Sequence, residues 1–581
     1  MKHEPLSILF PRQSEVSYRE LPDAAWHDLG MDSIVEKIAR QPQEVPLIRR
    51  VMTSMTDDPD VSAFRCDVFE DILNHPEIRS QMMKLLEKVK TFYDYGIVNR
   101  SMGDEAGLWD LMHRLEEYRS YILTVEALRE CLSDRDLHSS GLRGLLDAVN
   151  RVYQDNGFAA LKKDVEEMSL SAAELKSITV GINLNDRFEA VSMGLVSVNK
   201  KSFSRSNLLK NFINAVSSGD NLQSEAEWNN SYSYYPANTA DPGSISSGAN
   251  RFVSTAVMLR NPLAALSMAR IAESDGLSSV SRQMDSAAST LASRITRRLK
   301  GMLEKYLNVS VKEISDLIPE LLYYTRWAEY IENCRSLGWN FCKPEVLPTG
   351  SGSADMSAEG IYNLKLIASL EPSQVTLNSL SFDREKRVYI LTGANRGGKT
   401  TVTQALGQLF LLAQGGIFVP GKRFAFSPAD LVLTHFPADE DRTLDLGRLG
   451  EECKRFRDLF SSATGNSVLL LNETFSTTSF EEGYYIAVDA VKAILERGCR
   501  TVYNTHMHKL ASDLDQGIND PQRPGKAVSL VAETTDGQNS FRVRIAPPEG
   551  KSFARIIAEK YGVTYESLSS LSAGPGNPAA K

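Results

Sequence analysis

The sequence predicts a multidomain chain: an all-α region interrupted by a small β subdomain, followed by an α/β domain built on a phosphate-binding loop. Three observations carry this. Apolar residues recur at helical spacing over 29–95, 108–128 and 142–168, and again over 262–307 and 311–337. Between these blocks, 177–198 alternates apolar and polar residues as a hairpin does. Past residue 385, an apolar strand runs into Gly393, four further residues, and Gly398-Lys399-Thr400.

The bulk properties fit a globular chain. At 581 residues the length allows three to four domains of ~150 residues. Apolar residues make up 42%, enough for substantial cores, which excludes wholesale disorder. The net charge of −9 means that any nucleic-acid surface must be a local basic patch. Cys66, Cys131, Cys334, Cys342, Cys453 and Cys499 form no C-x-x-C pair or zinc-like spacing, so they read as scattered reduced thiols. The first residues lack the apolar core of a signal peptide, and no uncharged apolar run reaches ~18 residues. The expectation is a soluble, cytoplasmic protein that does not enter a membrane.

Taken in order, Asp32 is placed to cap a helix carrying Ile34, Val35 and Ile38. Ile78, Met82, Leu85, Leu86, Val89 and Phe92 mark a further apolar stripe, and such stripes read as core. In the β region, Ile178, Val180 and Ile182 alternate, Asn185-Asp186 turns the chain, and 188–198 alternates again. Residues 199–250 are polar. Lys200, Lys201, Arg205 and Lys210 precede Trp228, Tyr232, Tyr234 and Tyr235. Basic residues followed by aromatics can meet a nucleic-acid backbone, and a solvated loop accounts for them as well. The basic stripe Arg294, Arg297, Arg298 and Lys300 reads as a solvated helix face. Residues 343–360, rich in Pro, Gly and Ser, read as a linker or surface loop, and 570–581 as a flexible tail.

The phosphate loop has direct physics. Its glycines let backbone N–H groups face phosphate oxygens, and the following helix adds its positive dipole end. The candidates for cradling a triphosphate are Gly393, Ala394, Asn395, Arg396, Gly397, Gly398, Lys399, Thr400 and Thr401. Lys399 supplies a point charge, and the Thr400 hydroxyl is a candidate Mg²⁺ ligand. The apolar strand 467–471 ends in Asn472-Glu473, where metal and attacking water are handled in such sites. Glu473 is the candidate for polarising the water. Asn472, the second candidate for metal, brings a carbonyl oxygen but no charge. A second strand, 501–505, leads into His506, which can reach a γ-phosphate or be merely structural; His508 has no such placement.

Together these residues resemble a known family. Thr392-Gly-Ala-Asn-Arg-Gly-Gly-Lys-Thr400, then Asn472-Glu473 with Thr477-Thr-Ser479 and Gly483, then Asn504-Thr-His506, is similar to the ATPase domain of MutS proteins. There the pieces read T-G-P-N-M-G-G-K-S, D-E-x-x-x-G-T-S-x-x-[DE]-G and T-H. The similarity spans about residues 361–563, and the stretch from Ile361 also resembles a branch of MutS-like bacterial proteins. The resemblance implies an ABC-type ATPase using ATP and Mg²⁺, with two copies sandwiching two nucleotides in a homodimer. It implies catalytic roles for Glu473 and His506, and a dimer-crossing loop at Thr477, Thr478 and Ser479. Upstream, it implies a helical core and outgoing lever helix (1–170), a clamp-like β subdomain (171–260), returning lever and core helices (261–345), then the ATPase domain (346–570) and a tail (571–581).

Three departures from the family pattern matter. Asn472 stands for an Asp. The signature S-G-R-S-T-F is met by Leu446-Gly-Arg-Leu-Gly-Glu451, without its Ser and Thr. No Phe-x-Glu wedge precedes the core helices and no Smr-type nuclease follows, so the expectation is a chain without wedge-type mismatch reading. The expected function is an ATP-dependent DNA clamp for branched or distorted DNA, with Lys200, Lys201, Arg205 and Lys210 as candidate DNA contacts. The alternative is a nucleotide-dependent regulatory ATPase acting on a protein or the ribosome. A transporter ATPase leaves no place for the long helical first half.

Overall fold

A computed structural model describes residues 6–11, 15–94, 108–172, 177–184, 186, 190–199, 235–236, 301, 303, 306, 317–349, 356–394, 396–437, 447–535, 538–548 and 561–572. The chain divides into two compact units. One comprises 1–84, 131–147 and 316–581, and the other 85–130 and 148–315.

The elements follow the chain. Helices α1 (Asp23–Asp28), α2 (Met31–Ile38), α3 (Glu44–Thr53), α4 (Pro59–Asn74) and α5 (Pro76–Asp94) come first. Then come α6 (Leu108–Leu132), α7 (Ser140–Gln154), α8 (Asn156–Ala172), the hairpin β1 (Ser177–Leu184) and β2 (Ala190–Asn199), and α9 (Leu317–Ser336). The sheet region adds β3 (Met356–Ile361), β4 (Asn378–Phe382), β5 (Lys386–Gly393), α10 (Lys399–Gln414), β6 (Val432–His435) and α11 (Gly447–Ser462). It closes with β7 (Val468–Asn472), α12 (Phe480–Arg497), β8 (Arg500–Asn504), β9 (Lys526–Thr535) and β10 (Gln538–Ile545).

The first unit is organised on a six-stranded sheet in the order β6-β7-β8-β5-β9-β10. Every pairing is parallel except β9 with β10. Strands β7 and β8 are buried along their whole length, as near-continuous apolar strands in a sheet covered on both faces are. β5 and β8 sit side by side at the centre, so their carboxyl ends open where a ligand of an α/β sheet binds. Helix α10 follows β5 and is buried almost throughout.

Along α10, three glutamine amides reach main-chain carbonyls of the N-terminal segment. Gln404 Nε2 donates to Asp28 O at 2.7 Å, Gln408 Nε2 to Leu29 O at 2.9 Å, and Gln414 Nε2 to Thr56 O at 2.8 Å. Gly407 permits this approach: a Cβ there would lie 2.3 Å from Leu29 Cδ2. Arg65, buried on α4, donates to Leu9 O and Gln414 O. The half-buried Glu320 of α9 accepts from Ser7 Oγ, Ile8 N and Leu9 N, and its desolvation pushes the carboxyl up to about 7.

The other unit contains most of α6, the second half of α7, α8 and the hairpin. Tyr118 donates its hydroxyl to Tyr306 O, and Tyr306 donates to Asp164. The hairpin pairs Ser177 with Asn199 and Ile182 with Met193, as the alternation predicts.

Several expectations need correction. Asp32 does not cap α2; Gly30, at φ 70°, occupies that position, and Asp32 accepts from Trp26 Nε1 at 2.8 Å instead. The helix expected over 142–168 is two, α7 and α8, broken at Asp155. The linker expected over 343–360 contains the short strand Glu345–Val346 and β3, which pairs with β4 and with Arg423–Phe426. The first residues of the tail expected over 570–581 complete a helix, Tyr565–Ser572. Lys200, Lys201, Arg205, Lys210 and nearly all of the helix expected over 262–307 lie outside the described residues. Among the described residues, no helix is long and apolar enough to cross a membrane.

Candidate nucleotide site

β5 delivers the phosphate loop to the middle of the sheet edge. Gly393 ends it at φ 132°, where a Cβ would lie 2.8 Å from Ala532 O of the neighbouring β9. Gly398, at φ 84°, caps α10 in the left-handed region. Both positions need glycine, one for space and conformation and the other for conformation. Between them Arg396 is exposed, at φ 61°. Asn395 lies outside the described residues.

Lys399, the first residue of α10, is buried, and its ammonium donates to Gly393 O and Ala394 O at 3.1 Å each. Burial holds its pKa below the usual lysine value, and the Glu473 charge opposes that shift. A lysine clamped across its own loop is oriented before any phosphate arrives.

The parallel register sets Asn472 of β7 directly opposite Asn504 of β8. Their side chains meet: Asn504 Nδ2 donates to Asn472 Oδ1 and, at 3.3 Å, to Thr400 Oγ1. Thr400 Oγ1 in turn donates to Asn472 Oδ1 at 3.1 Å. The two expected metal residues are thus bonded to each other through neutral groups, with Asn472 buried behind Thr400. No carboxylate joins them, and among the described residues no cluster of three His, Cys, Asp or Glu side chains could hold a metal ion. This donor set does not fit a divalent cation held by protein charge. Asn504 stands in the quoted motif Asn504-Thr-His506 but carries no role in the sequence reading; the structure places it between Asn472 and Thr400.

Immediately after β7 the chain turns sharply. Glu473 and Phe475 adopt φ 54° and 64°. Such left-handed conformations are uncommon for these residue types and cluster at functional sites. The Glu473 amide donates to Asn504 O at 2.8 Å, and its carboxylate lies 2.9 Å from His506 Nε2. His506 follows β8, anchored by Thr505 N donating to Leu391 O at 3.0 Å. The turn therefore brings together the two residues expected to be catalytic. His508, also near, has its pKa pushed down by burial, with the His506 and Lys399 charges adding to the effect.

The loop expected to cross to a partner is tied down within the chain. Glu452 of α11 accepts from Phe475 N at 2.8 Å and from Thr477 Oγ1 at 2.6 Å. Thr478 donates to the Glu482 carboxylate, and Ser479 caps α12 by accepting from Glu482 N. Just beyond, Phe480 and Tyr485 are 53% and 70% exposed.

The phosphate loop and the ends of β7 and β8 open onto a cleft of about 390 Å³. One wall is the phosphate loop from Arg396 to Val402 with Glu473, Asn504 and His506. The other carries Ile361, Tyr362, Leu366, Val375 and Phe541. Asn378 holds Phe541 in place by donating to its carbonyl at 3.0 Å and accepting from Val543 N at 2.8 Å. A cationic loop facing an apolar wall suits a ligand with a phosphate end and a planar apolar end.

Comparison with known proteins agrees with this geometry. The family model described as MutS domain V matches residues 389–566, and MutS2 N-terminal domain matches 57–227. Endonuclease MutS2 of Thermus thermophilus is 28% identical over 191 residues, which is 33% of this chain and 25% of that protein. DNA mismatch repair protein MutS of Chlorobium phaeobacteroides is 32% identical over 176 residues, 30% of this chain and 20% of that protein. The same-named protein of Prochlorococcus marinus strain MIT 9301 is 28% identical over 231 residues, 39% of this chain and 25% of that protein. The matches thus span a quarter or less of the length of these relatives. With one model of the family on the helical region and another on the sheet that carries the cleft, the chain belongs to the MutS family.

Proposed function

We propose that the chain binds ATP in this cleft and hydrolyses it, as a MutS-like DNA-binding ATPase. The observation that supports this most strongly is the Glu473–His506 pair, set 2.9 Å apart on the wall that also carries Lys399. Glu473 would accept the proton of the attacking water, and His506 would hold Glu473 in place and feel the γ-phosphate. Lys399 and the loop N–H groups would stabilise the charge that develops on the phosphoryl oxygens. ATPases of this family use ATP with Mg²⁺; here Thr400 and Asn472 would offer it neutral oxygens only.

In the same reading two copies pair through the face near Thr477, Thr478 and Ser479. Closure of the pair on ATP is passed to lever helices and a clamp-like subdomain that embrace branched or distorted DNA. Lys200, Lys201, Arg205 and Lys210 are the proposed DNA contacts. The test is ATP turnover with and without linear, mismatched and branched DNA, beside Lys399→Ala. Stimulation by DNA that disappears with Lys399→Ala supports the reading; turnover indifferent to every DNA counts against it.

A second reading is favoured by Asn472 and by the net charge of −9. It is a slow, nucleotide-dependent regulator acting on a protein or the ribosome. Filter binding at two salt concentrations separates the two, since a phosphate-contacting clamp loses affinity steeply with salt. A complete lack of DNA affinity at low salt selects the regulator.

A further inference from the structure

We infer that the cleft takes a nucleoside triphosphate without needing a divalent cation, because the protein itself supplies the neutralising charge. This rests on the nucleotide reading above and specifies the form of the ligand.

Three observations converge. First, the residues lining the cleft include two basic side chains, Arg396 and Lys399, against a single carboxylate, Glu473. That carboxylate is engaged by His506 at 2.9 Å. Second, the position beside Thr400 where a carboxylate would attract a metal holds Asn472, which is buried and accepts from both Thr400 Oγ1 and Asn504 Nδ2. Its oxygen is satisfied by neutral donors, and Asn472 is not among the residues lining the cleft. Third, Arg396 is exposed at the cleft, has no hydrogen bond or ion pair among the described residues, and sits in a left-handed conformation on the loop itself. Its guanidinium is free to pair with phosphate oxygens in a bidentate way. A metal ordinarily screens the mutual repulsion of the β and γ phosphates; here two side-chain cations stand on the same loop to do it.

The experiment is equilibrium titration of the purified full chain with a fluorescent N-methylanthraniloyl ATP, in EDTA and in excess Mg²⁺. Affinities within about threefold of each other support the inference, and tighter binding in Mg²⁺ by more than about threefold overturns it. Binding in neither buffer overturns the nucleotide reading itself, so the two failures are distinguishable. Arg396→Met, at an exposed position, is expected to weaken binding in EDTA by about tenfold while Mg²⁺ restores part of the loss. An unchanged affinity in EDTA for this variant overturns the role given to Arg396. Asn472→Asp is expected to create a metal requirement, seen as an affinity ratio between the two buffers of about tenfold or more. A ratio as small as that of the wild type overturns the role given to Asn472.

Discussion

Glu473 and His506 face each other across the ends of two adjacent strands, with the carboxylate 2.9 Å from Nε2. The pair exists because β7 and β8 run parallel in register and both end at the same level of the sheet. Glu473→Gln is expected to keep nucleotide affinity and lower turnover by about a hundredfold or more, the range for loss of a positioned base. His506→Ala is expected to cost less, and the double variant to fall little below Glu473→Gln, since the two act as a unit. Single-turnover hydrolysis measures this; a fully additive loss would refute the pairing.

Asn472→Asp places a negative charge where Thr400 and Asn504 now meet a neutral oxygen. Both neighbours can still donate to it, so the fold should hold. Mg²⁺-dependent turnover is expected to rise by about tenfold, as one restored charge near the reacting phosphates allows. Steady-state phosphate release against Mg²⁺ concentration reads this directly, and unchanged turnover counts against the role assigned to this position.

Glu320 makes a pH dependence predictable. The folded carboxyl keeps its proton up to about 7, against 4.5 for an exposed one, because burial disfavours its charge. The folded state therefore binds the extra proton between these values, and stability should fall as pH rises through that window. Glu320→Gln can satisfy Ser7, Ile8 and Leu9 without a charge. Its melting temperature is expected to exceed that of the wild type at pH 8 but not at pH 5, by about 1–3 kcal/mol of stability. Parallel thermal melts at the two pH values are the measurement.

Gln408 has no exposed surface, and its amide is fully used. Oε1 accepts from Leu364 N at 3.0 Å while Nε2 donates to Leu29 O and Asn363 Oδ1. Gln408→Leu would strand a buried N–H and a buried C=O. Denaturant unfolding should show a loss of about 2–4 kcal/mol. A loss below about 0.5 kcal/mol would mean that water replaces the amide at these groups.

What could be read in advance follows the range of each interaction. The phosphate loop, the apolar strands ahead of Glu473 and His506, and the hairpin over 177–199 are encoded by neighbours within about ten residues, as local period and turn chemistry are. The apolar wall was not, because Ile361 and Phe541, 180 residues apart in sequence, come to one cleft only in the folded chain. Strand β3 was hidden by the Gly- and Ser-rich residues before it, although Met356, Ala358 and Ile361 are buried against the sheet partners. The cap of α2 went to Gly30 because Trp26 and His27 claim the Asp32 carboxylate first. Asn504 had no role assigned from sequence because its meaning depends on which strand lies beside which.

The amides of Gln404, Gln408 and Gln414 grip carbonyl oxygens, which every residue type possesses. These three bonds are therefore blind to the side chains at positions 28, 29 and 56, and what fixes Leu29 itself is its packing against Gly407. The helix that begins at the phosphate loop acts as a strut shared by both ends of the chain. Gln404, one turn in from the loop, already holds the carbonyl at the end of α1, so the phosphate loop and the opening helices are joined through a single helix.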